Sequence, residues 1–263
     1  MAFRTPAEIV ASAEQAACSK TALSVPRVLV LGFLAGAYIG FGGLLAIVVG
    51  RGSPALLAAN PGLAKFLFAA VFPVGIVMVV IAGSELFTGN CSVILPGCLC
   101  GRTSWASMLR NWVFAYVGNL LGSLFMAIFM AYLTGIVRGG GLGEATAGIA
   151  QAKVELDFWT LLLRGIGCNW LVGLGIWLAL AADDVAGKIL ALWFPVMAFV
   201  AIGFEHSVAN MFFIPLGMLN GAEASIGDFL LHLIPVTLGN IVGGSVMVGG
   251  IYGWLYGSRR AKS

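Results

Sequence analysis

The chain has 263 residues, of which 60% are hydrophobic and only 10% are charged, and its mean hydropathy is +1.01. A soluble domain carries about 25% charged residues, so this composition excludes an ordinary soluble domain and favours one integral membrane domain over residues 1–263. The formal net charge of +3 is too small to indicate a nucleic-acid partner. We expect membrane lipid to surround most of the chain.

Residues 1–27 predict a short amphipathic helix at the membrane surface, followed by a lead-in to the first span. Thr5 can cap this helix, Pro6 suits its first turn, and Lys20 lies near its end. The apolar residues that share one face of it are Ile9, Val10, Ala13, Ala16 and Ala17.

Six apolar stretches predict six membrane spans within residues 28–256, ahead of a basic tail over residues 257–263. A stretch of about 20 apolar residues is long enough to cross a bilayer as a helix. The six stretches are Val28–Val49, Phe66–Leu86, Trp105–Ile136, Phe158–Leu180, Ile189–Leu219 and Phe229–Tyr256. They leave no room for a separate soluble domain.

The distribution of Lys and Arg predicts the orientation, because basic loops stay on the cytoplasmic side. With six spans, both termini lie on one side, which carries nine basic residues: Arg4, Lys20, Arg27, Arg102, Arg110, Lys188, Arg259, Arg260 and Lys262. The other side carries five: Arg51, Lys65, Arg138, Lys153 and Arg164. We therefore expect both termini in the cytoplasm and the protein in the cytoplasmic (inner) membrane.

The small residues and the cysteines are interpreted as packing residues. The chain has 37 glycines, about twice the usual share of roughly 7%, and small residues let membrane helices approach closely. The five cysteines suggest no disulfide framework, and Cys98-x-Cys100 lacks the spacing and partners of a zinc site. We expect neither a metal nor a cofactor.

Two parts of the chain resemble each other. "FPVGIVMVVIAGSELFTGN" (Phe72–Asn90) and "FPVMAFVAIGFEHSVAN" (Phe194–Asn210) share Phe-Pro-Val and a Glu followed five positions later by Asn, and "GNLLG" from Gly118 matches "GNIVG" from Gly239. These matches lie at offsets of 120 to 122 residues. Three spans separate the copies, so the second copy crosses the membrane in the opposite direction. This predicts an inverted 3+3 repeat with its pathway between the halves.

We also expect the second and fifth helices to be broken, near Ser84–Asn90 and Gly203–Asn210. Irregular backbone at membrane depth is tolerated only where protein or a water-lined cavity satisfies it. Glu85, Glu205 and His206 fall at these breaks, and ionisable residues within spans favour a functional interpretation. The alternative for the two glutamates is that they cap freed backbone amides. His206 has no charged counterpart in the first copy, where Leu86 occupies its position, so it is the stronger functional candidate.

The segments "SELFTGN", "GFEHSVANMFFIPLGM", "CNWLVGLGIWLA" and "IPVTLGNIVGG" resemble the formate–nitrite transporter family along nearly the whole chain. The resemblance implies an all-α, aquaporin-like protomer, a homopentamer with a pore in each protomer, and no enzymatic activity. It implies small monovalent weak-acid anions as substrates: formate, nitrite or hydrosulfide. "GFEHSVANMFFIPLGM" favours formate, whereas "CNWLV" and the "TG" after "ELF" are closer to the nitrite branch.

The resemblance also implies roles for individual residues. His206 would be the central pore histidine, and Thr88, in an omega loop at the break, its hydrogen-bond partner. Lys153 would be the vestibule cation, for which a solvated loop lysine is the alternative. The pore-side polar residues would be Asn210, Asn240 and Glu205, and the apolar constrictions Phe72 with Phe199 and Leu86 with Ile76. The omega loop would continue through "GNCSVILPGCLCGRTSW", where a Pro-Gly and two cysteines depart from the family pattern.

These residue types suit the transport of a weak acid. Desolvating a carboxylate costs tens of kcal/mol by Born estimates, whereas protonating an acid of pKa about 4 at pH 7 costs only about 4 kcal/mol. Transient protonation of the substrate at His206 is therefore the favoured mechanism, because an imidazole changes protonation near neutrality. Lys65 and Arg164 could be further vestibule cations or interfacial anchors.

Two rival functions fit less well. An aquaporin-like channel for neutral solutes would carry Asn-Pro-Ala at both breaks, where this chain has "GNCS" and "ANMF". A membrane-embedded enzyme is less consistent with the sequence, because the chain has only two histidines and contains neither His-Glu-x-x-His nor Gly-x-Ser-x-Gly.

Overall fold

The computed structural model describes residues 3–257, and these residues form a bundle of helices. Three of the basic residues counted for orientation, Arg259, Arg260 and Lys262, lie outside the described residues, as does nearly all of the predicted tail over residues 257–263.

The helices in chain order are α1 Pro6–Thr21, α2 Val25–Arg51, α3 Pro54–Ala59, α4 Pro61–Val71, α5 Val74–Ala82, α6 Phe87–Leu99, α7 Trp105–Phe125, α8 Gly140–Val154, α9 Phe158–Ala181, α10 Val185–Ile202, α11 Ser207–Leu219, α12 Ile226–Ile241 and α13 Ile251–Tyr256. Helix α7 continues as a π-helix over Met126–Tyr132, and a second π-helix, Val242–Gly250, joins α12 to α13.

Within residues 3–257, six helices are long and apolar enough to cross a membrane, which agrees with the six predicted spans. They are Val25–Arg51, Pro61–Ala82, Trp105–Tyr132, Phe158–Ala181, Val185–Ile202 and Ile226–Tyr256. The second begins at Pro61 rather than Phe66 because Asn60 caps it, accepting a hydrogen bond from the backbone N–H of Leu63 at 3.0 Å.

Helix α1 begins where the sequence predicts. Thr5 accepts a hydrogen bond from the backbone N–H of Glu8, and the Glu8 carboxylate accepts one in return from the backbone N–H of Thr5 at 2.7 Å. This reciprocal capping box fixes the start of the helix. Its buried face packs on α6, where Gly97 leaves no room for a side chain beside Ala17.

Glycines allow the long helices to cross at close range, as the composition predicts. Helices α2 and α7 meet where a Cβ at Gly36 would collide with the backbone of Asn119, and one at Gly122 with the backbone of Phe33. Helices α9 and α12 meet in the same way at Gly165 and Gly239. These crossings bring the asparagines of α7 and α12 next to the backbone of α2 and α9.

Four residues lie between α5 and α6, and four between α10 and α11. Each segment starts with a left-handed glycine, Gly83 at φ 81° and Gly203 at φ 95°, a conformation that favours glycine. Each then runs extended into the residue that precedes the next helix, Leu86 and His206.

The expected omega loop is wrong, and so is the alternative that Lys153 lies in a loop. The segment "GNCSVILPGCLCGRTSW" does not continue an omega loop, because its residues up to Leu99 belong to helix α6 (Phe87–Leu99). The apolar side chains of α6 are buried in the bundle, and Pro96 is tolerated within the helix. Thr88 therefore lies in the first turn of α6. The segment ahead of the fourth span also forms a helix, α8, which packs against α11 through Gly217.

Candidate functional site

The side chains of Thr88 and His206 meet in the interior of the bundle. Thr88 Oγ1 lies 2.9 Å from His206 Nε2, and His206 is 3% exposed. His206 precedes α11 as its N-cap, and its Nδ1 accepts the backbone N–H of Ala209 at 3.0 Å. Since Nδ1 accepts, the proton of the neutral ring belongs on Nε2, which donates to Thr88 Oγ1. The Thr88 hydroxyl then keeps its own hydrogen for another acceptor.

Aromatic and aliphatic side chains surround this pair. The Phe199 ring stacks on the His206 ring, with centroids 5.8 Å apart and planes at 17°. Phe72 meets Phe199 edge-on at 6.0 Å. All four residues of the predicted constrictions, Phe72, Phe199, Leu86 and Ile76, are buried. Such a shell excludes bulk water from around the imidazole.

One cavity, here called the Lys153 cavity, leads to His206. His206, Phe72, Phe199 and Asn210 line it. Lys153 also lines it, and its Nζ lies 2.6 Å from Glu205 Oε2, with its side chain only 17% exposed. Lys153 belongs to the last turn of α8, so the alternative of a solvated loop lysine is wrong.

A second cavity, here called the Lys20 cavity, lies on the Leu86 side. Lys20, Glu85, Leu86 and Asn90 are among the residues that line it. Lys20 Nζ lies 2.7 Å from Glu85 Oε1, and Asn90 Nδ2 donates to Glu85 Oε2 at 2.8 Å. Ile76 lines neither of these two cavities. Sequence reasoning did not assign Lys20 to the site, and for Glu85 it left open a functional role or a backbone cap. Lys20 and Lys153 each lie in the last turn of a helix.

The two glutamates do not cap backbone amides. Their carboxylates accept hydrogen bonds from lysine and asparagine side chains instead, and Asn111 Nδ2 adds a further bond to Glu85 at 3.1 Å. The backbone at each segment is satisfied by a different asparagine. Asn119 accepts from the Phe87 N–H at 2.9 Å, and Asn240 accepts from the Ser207 N–H at 2.9 Å.

Asn240 and Asn210 occupy different environments. Asn240 Nδ2 donates to the backbone oxygens of Gly165 at 2.8 Å and Glu205 at 3.0 Å, so both of its donors are engaged by backbone. Asn210 Nδ2 donates to Glu205 Oε2 at 2.7 Å, but its buried Oδ1 has no hydrogen-bond partner among residues 3–257. Since Asn210 lines the Lys153 cavity, its free oxygen is the better placed to meet a passing donor.

His232 is a member of the Lys153 cluster that sequence reasoning missed. Its Nε2 lies 2.8 Å from Asn210 Nδ2 and 3.9 Å from Glu205 Oε2, and its Nδ1 lies 3.1 Å from the backbone oxygen of Lys153. A carbonyl only accepts, so Nδ1 carries the proton and Nε2 accepts from Asn210. The repeat held a signal for it, because Asn111, which contacts Glu85, lies 121 positions earlier.

Nothing in the described part of the chain resembles a metal centre. No group of three or more His, Cys, Asp or Glu side chains within residues 3–257 is placed to hold a metal ion, and all five cysteines are free thiols.

Nearly the whole chain is similar in sequence to one protein family. A sequence model described as "Formate/nitrite transporter" matches residues 7–254. A "Probable formate transporter" of Methanothermobacter thermautotrophicus is 48% identical over 97% of both chains, and the "Formate channel BtFdhC" of Bacillus thuringiensis is 39% identical over 96% of this chain and 95% of that protein.

Solved structures agree. An "FNT family ion channel" matches with a TM-score of 0.86 at 30% identity, covering 94% of this chain and 98% of that one. A "Pentameric formate channel with formate bound" matches with a TM-score of 0.76 at 33% identity, covering 88% and 97%. With its six apolar spans, the chain is a multi-pass membrane protein, a transporter or channel and not an enzyme, and it belongs to the formate/nitrite transporter family.

Proposed function

We propose that the protein conducts small monovalent weak-acid anions across the cytoplasmic membrane, with formate as its substrate. The observation that carries this proposal is the buried Thr88–His206 pair, which has a cavity with a lysine–glutamate pair on either side. The names of the relatives and of the formate-bound structure favour formate over nitrite and hydrosulfide.

The pathway lies between the halves of an inverted repeat. Support comes from matched hydrogen bonds: Glu85 N–H donates to the Leu31 oxygen at 3.2 Å, and Glu205 N–H donates to the Arg164 oxygen at 3.3 Å. Leu31 and Arg164 are 133 positions apart, as are Lys20 and Lys153. Helices α1 and α8 therefore belong to the repeat as well.

In this plan α5 with α6, and α10 with α11, are the halves of two broken membrane helices. The asparagine pair Asn119 and Asn240 supports the breaks by holding the backbone on both sides of each one. Asn240 is accordingly a supporting residue of the pore, while Asn210 faces the substrate.

Transport begins with attraction of the anion into a cavity by Lys153 or Lys20. The glutamate beside each lysine accepts one of the three N–H donors of the ammonium group and fixes its position. The remaining donors are free to meet the anion. Glu205 and Glu85 thus position the cations and also keep an anion from binding them too tightly to leave.

The anion then takes a proton from water in the cavity and crosses the apolar centre as the neutral acid. Transient protonation removes the desolvation cost that the buried side chains Phe72, Phe199, Leu86 and Ile76 impose on a charged species. At the centre the acid accepts a hydrogen bond from the Thr88–His206 pair. The sequence favours protonation of the anion at His206, but Ala209 N–H occupies the acceptor site of Nδ1. We therefore propose instead that the ring stays neutral, that water supplies the proton, and that Nε2–H donates to Thr88. The acid returns its proton to water in the opposite cavity.

The protein forms a homopentamer, with one pore in each protomer, and both of its termini face the cytoplasm. The pentameric formate channel that it resembles supports this assembly. The whole chain constitutes a single membrane domain, consistent with a family match that runs from residue 7 to residue 254.

Flux measurements test the proposal. Purified protein in liposomes is given formate, nitrite and hydrosulfide side by side between about pH 5 and pH 8, a range that lies above the pKa of a carboxylic acid, about 4. We expect the fastest flux for formate. We also expect the flux to rise as the pH falls, because at pH values above the pKa the fraction of neutral acid increases about tenfold for each unit by which the pH is lowered. His206→Phe should abolish or strongly reduce formate flux, because the acid loses the hydrogen-bonding pair at the centre of the pathway. An unchanged flux and pH profile in that variant would contradict the role of His206.

A further inference from the structure

The cavity at Lys153 is more basic than the cavity at Lys20. Arg51 and Lys65 line the Lys153 cavity. An adjoining cavity, which shares Arg51 and Lys153 with it, is lined by Arg164 as well. We call the two together the Lys153 mouth. By contrast, Lys20 and Glu85 are the charged residues that line the Lys20 cavity.

Among the residues that the structure describes, these additional cations have no ion-pair partner. Glu205 is the acidic residue that lines the Lys153 mouth, and its carboxylate is already bonded to Lys153 at 2.6 Å and Asn210 at 2.7 Å. Within residues 3–257 neither Lys65 nor Arg164 has an ion pair or a side-chain hydrogen bond, and Arg51 contacts only the Phe68 ring, 5.9 Å from its centroid. Three positive charges therefore face this mouth uncompensated.

The other copy of the repeat has no basic residue at the positions equivalent to these three cations. At the offset of 133 residues, Arg51 corresponds to Asp184 and Arg164 to Leu31, and at the offset of 122 residues, Lys65 corresponds to Gly187. Asp184 is committed to its own helix, where it accepts the backbone N–H of Gly187 at 2.8 Å. The surplus charge is thus specific to one side, whereas the lysine–glutamate pairs occur on both.

We propose that Arg51, Lys65 and Arg164 form an anion-binding station at the Lys153 mouth that takes small oxyanions, including dianions such as sulfate. The station rests on the proposed function, because formate is the anion that continues from it towards His206. A doubly charged, strongly hydrated anion is held there more firmly, but Phe72 and Phe199 block its way inward. Sulfate is therefore a competitor from this side alone.

Coulomb's law gives the size of the effect. A unit charge about 10 Å away in water favours an anion by a factor of about two, so three such charges favour it about eightfold. At an ionic strength of about 0.1 M the Debye length is about 10 Å, which reduces the eightfold effect to about twofold.

The experiment measures formate uptake into right-side-out and inverted membrane vesicles prepared from the same expressing cells. The variant combines Arg51→Gln, Lys65→Gln and Arg164→Gln. Arg138→Gln, which removes a charge ahead of α8 that lines neither cavity, and Arg27→Gln, at the start of α2, are matched controls. In parallel, potassium sulfate is added to wild-type vesicles against potassium gluconate at equal ionic strength, a comparison that requires no variant to fold.

In one vesicle type only, we expect the half-saturating formate concentration of the triple variant to rise about eightfold at low ionic strength and about twofold near 0.1 M salt, with the maximal rate unchanged. Sulfate should inhibit the wild type in that same vesicle type, and both controls should match the wild type. Equal half-saturation in the triple variant and the wild type, or sulfate inhibition from both sides, would overturn the station alone. Absence of formate uptake by the wild type would overturn the proposed function, and the station with it.

Discussion

At the scale of single residues, His206 and Thr88 have different roles: the ring of His206 is held in place, whereas the hydroxyl of Thr88 can still donate a hydrogen bond. His206 has one nitrogen bonded to the backbone of Ala209 and the other to Thr88, so its orientation is fixed from both ends. Thr88 has a hydroxyl hydrogen left over, which makes it the group that adapts to the substrate. This division of roles leads to a test at Thr88.

We predict that Thr88→Val lowers formate flux about five- to tenfold, the effect of losing one hydrogen bond of about 1–1.5 kcal/mol. Valine keeps the shape of threonine but removes the hydroxyl. Thr88→Ser keeps the hydroxyl and is the control, expected near the wild-type rate. Stopped-flow light scattering on proteoliposomes gives the rates. If Thr88→Val transports as fast as Thr88→Ser, the hydroxyl does not contact the substrate.

A second prediction concerns His232. His232→Leu removes one hydrogen bond from the Asn210 amide, which still donates to Glu205, and one from the Lys153 carbonyl, which still accepts the Leu156 N–H. Each lost hydrogen bond costs about 0.5–1.5 kcal/mol. We expect a lower unfolding temperature and a higher half-saturating formate concentration, because Lys153 loses its support. His232→Asn, which introduces the residue type of Asn111, should restore much of the half-saturation. Failure of asparagine to do better than leucine would contradict a positioning role.

The sequence alone was sufficient to find a site residue where an ionisable side chain lies within an apolar span. His206 stood out because an imidazole in an apolar span has few structural explanations, and Thr88 came with it through the resemblance. His232 did not stand out, since its role depends on a backbone carbonyl of α8 that the sequence does not reveal. The interpretation of the glutamates as backbone caps was wrong because an asparagine from a distant helix does that work at each segment.

At the scale of elements, close helix crossings determine where the site residues lie. Asn119 and Asn240 reach the segments between helices because glycines let α2 approach α7 and let α9 approach α12. A bulky residue at a crossing would separate the helices and withdraw the asparagine from its backbone partners.

We predict that Gly122→Val destabilises the protein by about 1–3 kcal/mol or more, as overpacking does, because its side chain would collide with the Phe33 backbone. Gly148→Ala is the control in α8, where a Cβ meets nothing within 4 Å. Alanine is favoured over glycine there by about 0.5–1 kcal/mol within a helix. Thermal unfolding in detergent reports both. A Gly122→Val protein as stable as the Gly148→Ala protein would show that the crossing tolerates a side chain.

The long spans were predictable from hydropathy, whereas α6 and α8 were not. Helix α6 has 13 residues and α8 has 15, each too short for a hydropathy window of about 20 residues to identify as a span. Both carry Gly or Pro, which favour a loop interpretation. Tertiary packing overrides that local preference: α6 is buried on nearly all sides, and α8 rests on α11.

At the scale of the whole molecule, the outer surface of the bundle is apolar, with large exposed side chains such as Trp105, Leu121, Leu163 and Trp254. In the proposed pentamer, lipid covers one part of this surface and neighbouring protomers cover the rest. Five copies of the 27.4 kDa chain give about 137 kDa. We expect native mass spectrometry of the detergent-released protein to find this mass. A predominant monomer in mild detergent would contradict the assembly.

The central claim about the whole molecule is that the anion crosses as its neutral acid. Each formate then brings one proton with it, and the transfer is electrically silent. The claim is tested most directly by recording lumenal pH and radiolabelled formate uptake together in proteoliposomes whose membrane potential is set with valinomycin and potassium, with protein-free liposomes as the control. We predict one proton for each formate and a rate that does not change with the potential. Formate uptake that follows the membrane potential and leaves lumenal pH unchanged would contradict the account.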